Sequence, residues 1–125
     1  MKRALVISGG GSKGAFAVGV LKQLKIVFPQ LDFDFYVGTS AGSLVVTLAS
    51  LNEIDTLEKI YTTTSNEDLF IEGNIVDKLN DTSLFDVLPA LNLIQQNYPD
   101  TSYNQLQASG KKVFLTTVCL QTNEL

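Results

Sequence analysis

The sequence predicts an α/β fold built on a parallel sheet, and three observations carry that prediction. Ala4-Leu5-Val6-Ile7 is a short continuous apolar run that ends at glycines, the pattern of a strand buried on both faces. Val113 to Val118, after Gly110, is a β-branched run of the same kind. Between them helix-like and strand-like segments alternate, which favours parallel strands joined by right-handed crossovers.

From Ser12 to about Phe28 the pattern turns helical. Val20, Leu24 and Val27 fall on one face and Lys22 and Lys25 on another, until Pro29 stops the helix. Phe33 to Val37 reads as the second strand, ending at Gly38. Ser40 to Leu51 is rich in small and apolar residues, as a buried helix is. Asp55 with Glu58 three residues on is a capping-box pattern before Leu57 and Ile60. Asn74 is placed to cap a turn through Leu79. Val87, Leu91 and Ile94 mark an amphipathic helix, with Asn92, Gln95 and Gln96 outside and Pro89 tolerated in its first turn. No repeat, low-complexity tract or linker divides the chain, so residues 1–125 read as one unit. Only a few polar residues follow the last strand, with no helix to cover it. The sheet is therefore expected to be truncated at its C-terminal end. Its exposed last strand is expected to invite homo-oligomer pairing.

Composition narrows the function. The chain has 125 residues, 45% hydrophobic and 18% charged, ordinary for a soluble globular domain and too apolar for a disordered one. Nine basic against 13 acidic side chains give a net charge of −4, which argues against nucleic acid and against polybasic docking on lipid. One cysteine excludes an internal disulfide and a multi-cysteine zinc site. There is no histidine, which removes the Ser-His-Asp and Cys-His devices and His-ligated metals. No metal and no cofactor are expected. Lys2 and Arg3 precede too short an apolar stretch for a signal peptide, and no run approaches a membrane span. A cytoplasmic location is expected.

Two motifs carry chemistry. Gly9-Gly10-Gly11-Ser12-Lys13-Gly14 lies between the first strand and the first helix. Its glycines permit backbone angles closed to other residues and let a ligand approach the amides. The helix beyond points unpaired amide hydrogens and a positive dipole end at the same spot, with Lys13 adding charge. Such a loop binds a phosphate or the oxyanion of a tetrahedral intermediate; a plain packing turn is the alternative. A Walker A loop is excluded because Ala15 and Phe16, not Lys and Ser/Thr, follow Gly14. The dinucleotide fingerprint fits Gly9, Gly11 and Gly14, but Asp32 and Asp34 lie at the beginning of the second strand, where the ribose acid belongs at its end.

That end is Gly38-Thr39-Ser40-Ala41-Gly42, a G-x-S-x-G between a strand and a helix, the context of a nucleophile elbow. A serine there sits on a sharp turn made possible by small neighbours, beside a helix N-terminus. The competing reading is a serine N-cap. Weaker candidates remain. Ser109-Gly110-Lys111-Lys112 has the S-x-x-K spacing but runs through a glycine turn into a strand, so both lysines read as solvated. Cys119 reads as a small core residue. Tyr61, Phe70, Phe85 and Tyr98 read as core packing before acyl-pocket lining.

Together the two motifs resemble the patatin-like phospholipase family, which pairs an early GGGxKG or GGGxRG loop with a GxSxG elbow a strand, helix and strand later. Ser83-Leu84-Phe85-Asp86 and Lys112 to Leu120 extend the similarity over nearly the whole chain. The resemblance implies a patatin-like acyl hydrolase fold and a Ser-Asp dyad acting on lipid or other esters. It implies Ser40 as nucleophile, the Gly9 to Gly14 loop as oxyanion hole, and Gly38, Thr39, Ala41 and Gly42 as the elbow. The family's aspartate stands in an Asp-Gly motif beyond the last strand. None of Asp32, Asp34, Asp55, Asp68, Asp77, Asp81, Asp86 and Asp100 precedes a glycine, so none takes that role. The chain is read as the nucleophile half of such a site. Two other readings stay open: a non-catalytic relative that binds acyl chains or a partner polypeptide, and a nucleotide-binding α/β domain.

Overall fold

A computed structural model describes residues 1–64, 71–72, 85–86 and 88–118, with side chains for 1–64 and 91–118. In chain order the elements are β1 (Ala4–Ile7), a 3₁₀ turn (Gly11–Lys13), α1 (Gly14–Val27), β2 (Phe35–Thr39), α2 (Ala41–Ser50), α3 (Ile54–Thr63), β3 (Ile71–Glu72), β4 (Phe85–Asp86), α4 (Leu88–Asn97), α5 (Asp100–Ser109) and β5 (Lys112–Thr116). The main sheet has the order β1-β2-β5 and is parallel throughout. Ala4 stands opposite Phe35 and Ile7 opposite Gly38; Lys112 stands opposite Phe35 and Thr116 opposite Thr39. All three strands thus end together, and the loops that leave Ile7 and Thr39 emerge side by side. β3 and β4 form a second, two-stranded antiparallel sheet.

Apolar burial explains the layering. Leu5, Ile7, Tyr36 and Val113 alternate onto the sheet face that α2 covers, and α1 and α3 pack on α2 from outside. The core joins Val18 and Leu21 of α1, Tyr36, the α2 residues Val45, Val46, Leu48 and Ala49, and Ile54 and Leu57. The α2 helix is apolar nearly all round and is buried accordingly, as its composition predicts. On the other sheet face Phe35 and Phe114 stack at 6.4 Å between centroids, and Val6 and Phe114 remain exposed.

Several expectations shift. The inward face of α1 carries Val18 and Leu21, whereas Val20 and Val27 are 42% and 53% exposed. Two contacts to α3 set this rotation: Lys22 is salt-bridged to Glu58, and Gly14 lies directly beneath Tyr61. The second strand starts at Phe35 rather than Phe33, because Asp32 and Asp34 spend their carboxylates on the amides of Phe33 (2.9 Å) and Arg3 (2.8 Å) before the ladder begins. The capping box at Asp55 is absent. The helix begins earlier, with Glu53 at its N-cap, and Glu58 is engaged by Lys22. Leu91 is exposed, while Leu93 and Ile94 are half-buried. The Asn74 turn, Val87, Cys119 and the side chains of Phe70 and Phe85 lie outside the described residues.

Lys111 is not a solvated lysine. Gly110 takes the left-handed conformation (φ 70°) that ends α5, and this turn sends Lys111 inward. Its ammonium lies 2.9 Å from Asp32 Oδ1, donates to the Ser50 carbonyl at 3.0 Å, and sits 5.5 Å from the Tyr36 ring centroid. The Tyr36 hydroxyl donates to Asp32 Oδ1 at 2.9 Å. Burial pushes the Asp32 carboxyl up, but hydrogen bonds from Lys111, Tyr36 and the Phe33 amide outweigh it and hold the pKa below its ordinary value.

The sign of the resulting pH dependence follows. Below its ordinary pKa the unfolded chain binds a proton at Asp32 that the folded chain resists. The carboxylate's contribution is therefore complete above about pH 4 and is lost as pH falls through the lower folded value. Asp32 is 61% exposed at its side chain, so solvent screening keeps that contribution small. Asp32→Asn is expected to cost about 0.5–1 kcal/mol near pH 7. In thermal melts the gap between variant and wild type should close on acidification towards pH 2. A gap that stays constant with pH contradicts the assignment.

Candidate active site

The turn from β2 into α2 is shaped by two glycines that touch their neighbours through hydrogen. A β-carbon on Gly42 would fall on the carbonyl oxygen of Ile7 and 2.8 Å from that of Ser8. One on Gly38 would come 2.6 Å from Ser43 Cα and 2.7 Å from the Gly42 oxygen. The first turn of α2 therefore presses on the ends of both β1 and β2, and the chain must reverse within Thr39 and Ser40. Ser40 takes up that reversal with φ 52° and ψ −130°. A side chain in this region costs about 1–3 kcal/mol and persists where the surroundings over-determine it.

Ser40 stands at the N-cap of α2, but its side chain makes no capping hydrogen bond. The first turn is closed instead by the Ser43 amide donating to the Ser40 carbonyl at 2.8 Å. This disfavours the simple cap reading of the motif. Among the described residues the hydroxyl has no hydrogen-bond partner, and it stands at the exposed C-terminal edge of the sheet.

The other wall is the glycine loop. Gly9 is the residue that meets Ser40: a β-carbon there would lie 2.8 Å from Ser40 Cβ, 3.5 Å from Ser40 Oγ and 3.4 Å from the Thr39 oxygen. Beyond it, the Lys13 amide donates to the Gly10 carbonyl at 3.1 Å, closing the 3₁₀ turn, and Gly11 is left-handed at φ 56°. Gly10, Gly11, Ser12 and Lys13 thus form a tight crest between Ile7 and α1. The N-termini of α1 and α2 both face this edge of the sheet. Their unpaired amides and dipoles favour negative charge there, and the exposed Lys13 adds to it. A developing oxyanion beside Ser40 suits this field.

Two tyrosines back the site. Tyr61 of α3 closes over Gly14, and the Tyr98 hydroxyl donates to the Leu44 carbonyl of α2 at 2.9 Å. Burial raises the pKa of both phenols, with Tyr61 adding to the rise at Tyr98. Both rings pack against the core. The sequence also conceals one contact made across 77 residues: Thr116 Oγ1 donates to Thr39 Oγ1 at 2.8 Å. Only the register of β5 on β2 brings them together.

The described carboxylates lie elsewhere. Asp32 and Asp34 sit at the opposite, N-terminal edge, and Asp34, the nearer in sequence, is roughly 20 Å from Ser40 at about 3.3 Å per residue of β2. Asp34 is engaged by Lys2 at 3.1 Å, and the Arg3 amide and that lysine hold its pKa down. Asp55 begins α3, at the other end of that helix from Tyr61, and Asp100 begins α5. Asp68, Asp77, Asp81 and the side chain of Asp86 lie outside the described residues. Among the described residues no group of three or more His, Cys, Asp or Glu could hold a metal, and no helix is long and apolar enough to cross a membrane.

The sequence model of the patatin-like phospholipase family matches residues 5–123. A cUMP-AMP-activated phospholipase of Escherichia coli is 36% identical over 64 residues, which are 48% of this chain and 20% of that protein. The match spans about a fifth of the relative's length. No solved structure matches.

The strain at Ser40 is measurable without any assay of activity. Glycine tolerates φ 52° freely, so Ser40→Gly should be more stable than Ser40→Ala by about 1 kcal/mol, after about 0.5–1 kcal/mol is lost to the freer unfolded chain. Urea unfolding of the two variants reads this difference. Equal stabilities, or a less stable glycine variant, mean that the turn is not strained.

Proposed function

The chain belongs to the patatin-like phospholipase family, and from that premise we propose that it is a serine acyl hydrolase cleaving carboxylic esters of lipids, with Ser40 as nucleophile. The observation that carries the proposal is the Ser40 geometry. A non-glycine residue is held at positive φ, its hydroxyl is free of capping duty, and it lies against Gly9 in a glycine loop.

In this mechanism Ser40 Oγ attacks the ester carbonyl while its proton passes to an aspartate base. Charge collects on the carbonyl oxygen, and amides of the Gly9 to Lys13 loop bind it. Collapse of the tetrahedral intermediate expels the alcohol, which takes the proton back from the aspartate, and leaves an acyl-Ser40 ester. Water, deprotonated by the same base, then releases the carboxylic acid. Phospholipid and lysophospholipid are the substrate classes that fit the family. Asp32 and Asp34 are too distant to be the base. The proposal assigns that role to an aspartate in an Asp-Gly context, a pair that this sequence lacks.

The test is ester turnover. A positioned general base contributes about 10² to 10⁴ in rate, so residues 1–125 alone should hydrolyse p-nitrophenyl esters barely above buffer. A longer chain carrying an Asp-Gly segment should be active, and Ser40→Ala should abolish that activity. Brisk turnover by residues 1–125 that vanishes in Ser40→Ala shows that the base lies within them or in a partner copy. Activity that survives Ser40→Ala removes Ser40 from the mechanism. A longer chain that remains inert favours the non-catalytic reading.

A further inference from the structure

We propose that Thr116 is a positioning residue for Ser40, acting through Thr39; the inference rests on the reading of Ser40 as nucleophile. The strained Ser40 backbone needs restraint from both sides. On the α2 side it has the close packing at Gly38 and Gly42 and the Ser43 amide bond to the Ser40 carbonyl. Gly38 faces α2, so alternation along β2 turns the Thr39 side chain to the opposite face of the sheet. There Thr39 stands directly opposite Thr116 in the last rung of the β2–β5 ladder, and the Thr116 hydroxyl donates to that of Thr39 at 2.8 Å.

Among the described residues this is the one side-chain hydrogen bond made by either Thr39 or Ser40. It pins the residue whose carbonyl enters the Ser40 turn, at the point where the regular ladder stops. Neither threonine is given a role in bond making. The pair fixes the direction in which Ser40 leaves the strand, and so the placement of Oγ beside Gly9. Residues 77 apart in sequence are thereby coupled, and β5 becomes part of the nucleophile's support.

The experiment is fluorophosphonate labelling of the longer, Asp-Gly-bearing chain, with the maximal inactivation rate and the probe's affinity determined separately. Thr116→Val keeps β-branching and removes the hydrogen bond. It is expected to slow the maximal rate about threefold to fivefold, the scale of a cross-strand threonine pair, with affinity unchanged. Thr116→Ser should restore the wild-type rate. Thr39→Val should slow labelling similarly, and the double valine variant should be no slower than either single one. Wild-type labelling in Thr116→Val overturns the inference and leaves Ser40's role intact. So does a Thr116→Ser variant as slow as valine, or a loss confined to melting temperature. A wild-type chain that takes up no probe at Ser40 overturns the nucleophile reading, and this inference with it.

Discussion

No side chain fits at residue 42: the carbonyl oxygens of Ile7 and Ser8 occupy the space that a β-carbon would take. The rest of the site depends on this contact. It lets the first turn of α2 rest on the ends of β1 and β2, which leaves the chain only Thr39 and Ser40 in which to turn. Ser40 is thereby forced to positive φ and brought against Gly9. Gly38 does the same from within β2, against Ser43 and Val46. The three glycines at 9, 38 and 42 are close-packing residues, and the left-handed freedom of glycine is used at Gly11 and Gly110 instead. The serine, which lacks that freedom, carries the strain.

Parallel strands that end in step divide the sheet into two edges with different work. At the N-terminal edge Asp32, Tyr36, Lys111, Asp34 and Lys2 are paired with one another and with backbone, and they hold the start of β2 to the starts of β5 and β1. At the C-terminal edge, among the described residues, the Ser40 side chain makes no hydrogen bond, and two helix N-termini face it. Residues 5–123 place the chain in the patatin-like phospholipase family. The charge separation between the edges gives the physical reason why no acid near the start of β2 can serve Ser40.

Much of this was legible in the sequence because it depends on local pattern. The apolar runs gave the parallel strands, and the G-x-S-x-G between strand and helix placed Ser40 at the junction. The glycine loop was correctly set between β1 and α1. What escaped depends on contacts distant in sequence. The inward face of α1 is chosen by Tyr61 and Glu58 of α3, so hydrophobic periodicity alone selected Val20 and Val27 when Val18 and Leu21 are buried. Lys111 read as a surface lysine because nothing near it announces Asp32, and Thr116 is ordinary until the register of β5 sets it opposite Thr39. The capping-box pattern at Asp55 yielded to Glu58's tertiary partner, a case of long-range pairing overriding a local signal.

The central claim is that a strained serine is presented to the amides of a glycine loop. A crystal structure of the phosphonylated chain tests it most directly, because the adduct's phosphoryl oxygen stands where a tetrahedral oxyanion would. The account predicts phosphorus on Ser40 Oγ and that oxygen about 2.7–3.1 Å from backbone nitrogens of the Gly9 to Lys13 loop. Ser40 should keep its positive φ. An adduct on another residue contradicts the account, as does a phosphoryl oxygen turned to solvent with the loop amides unengaged.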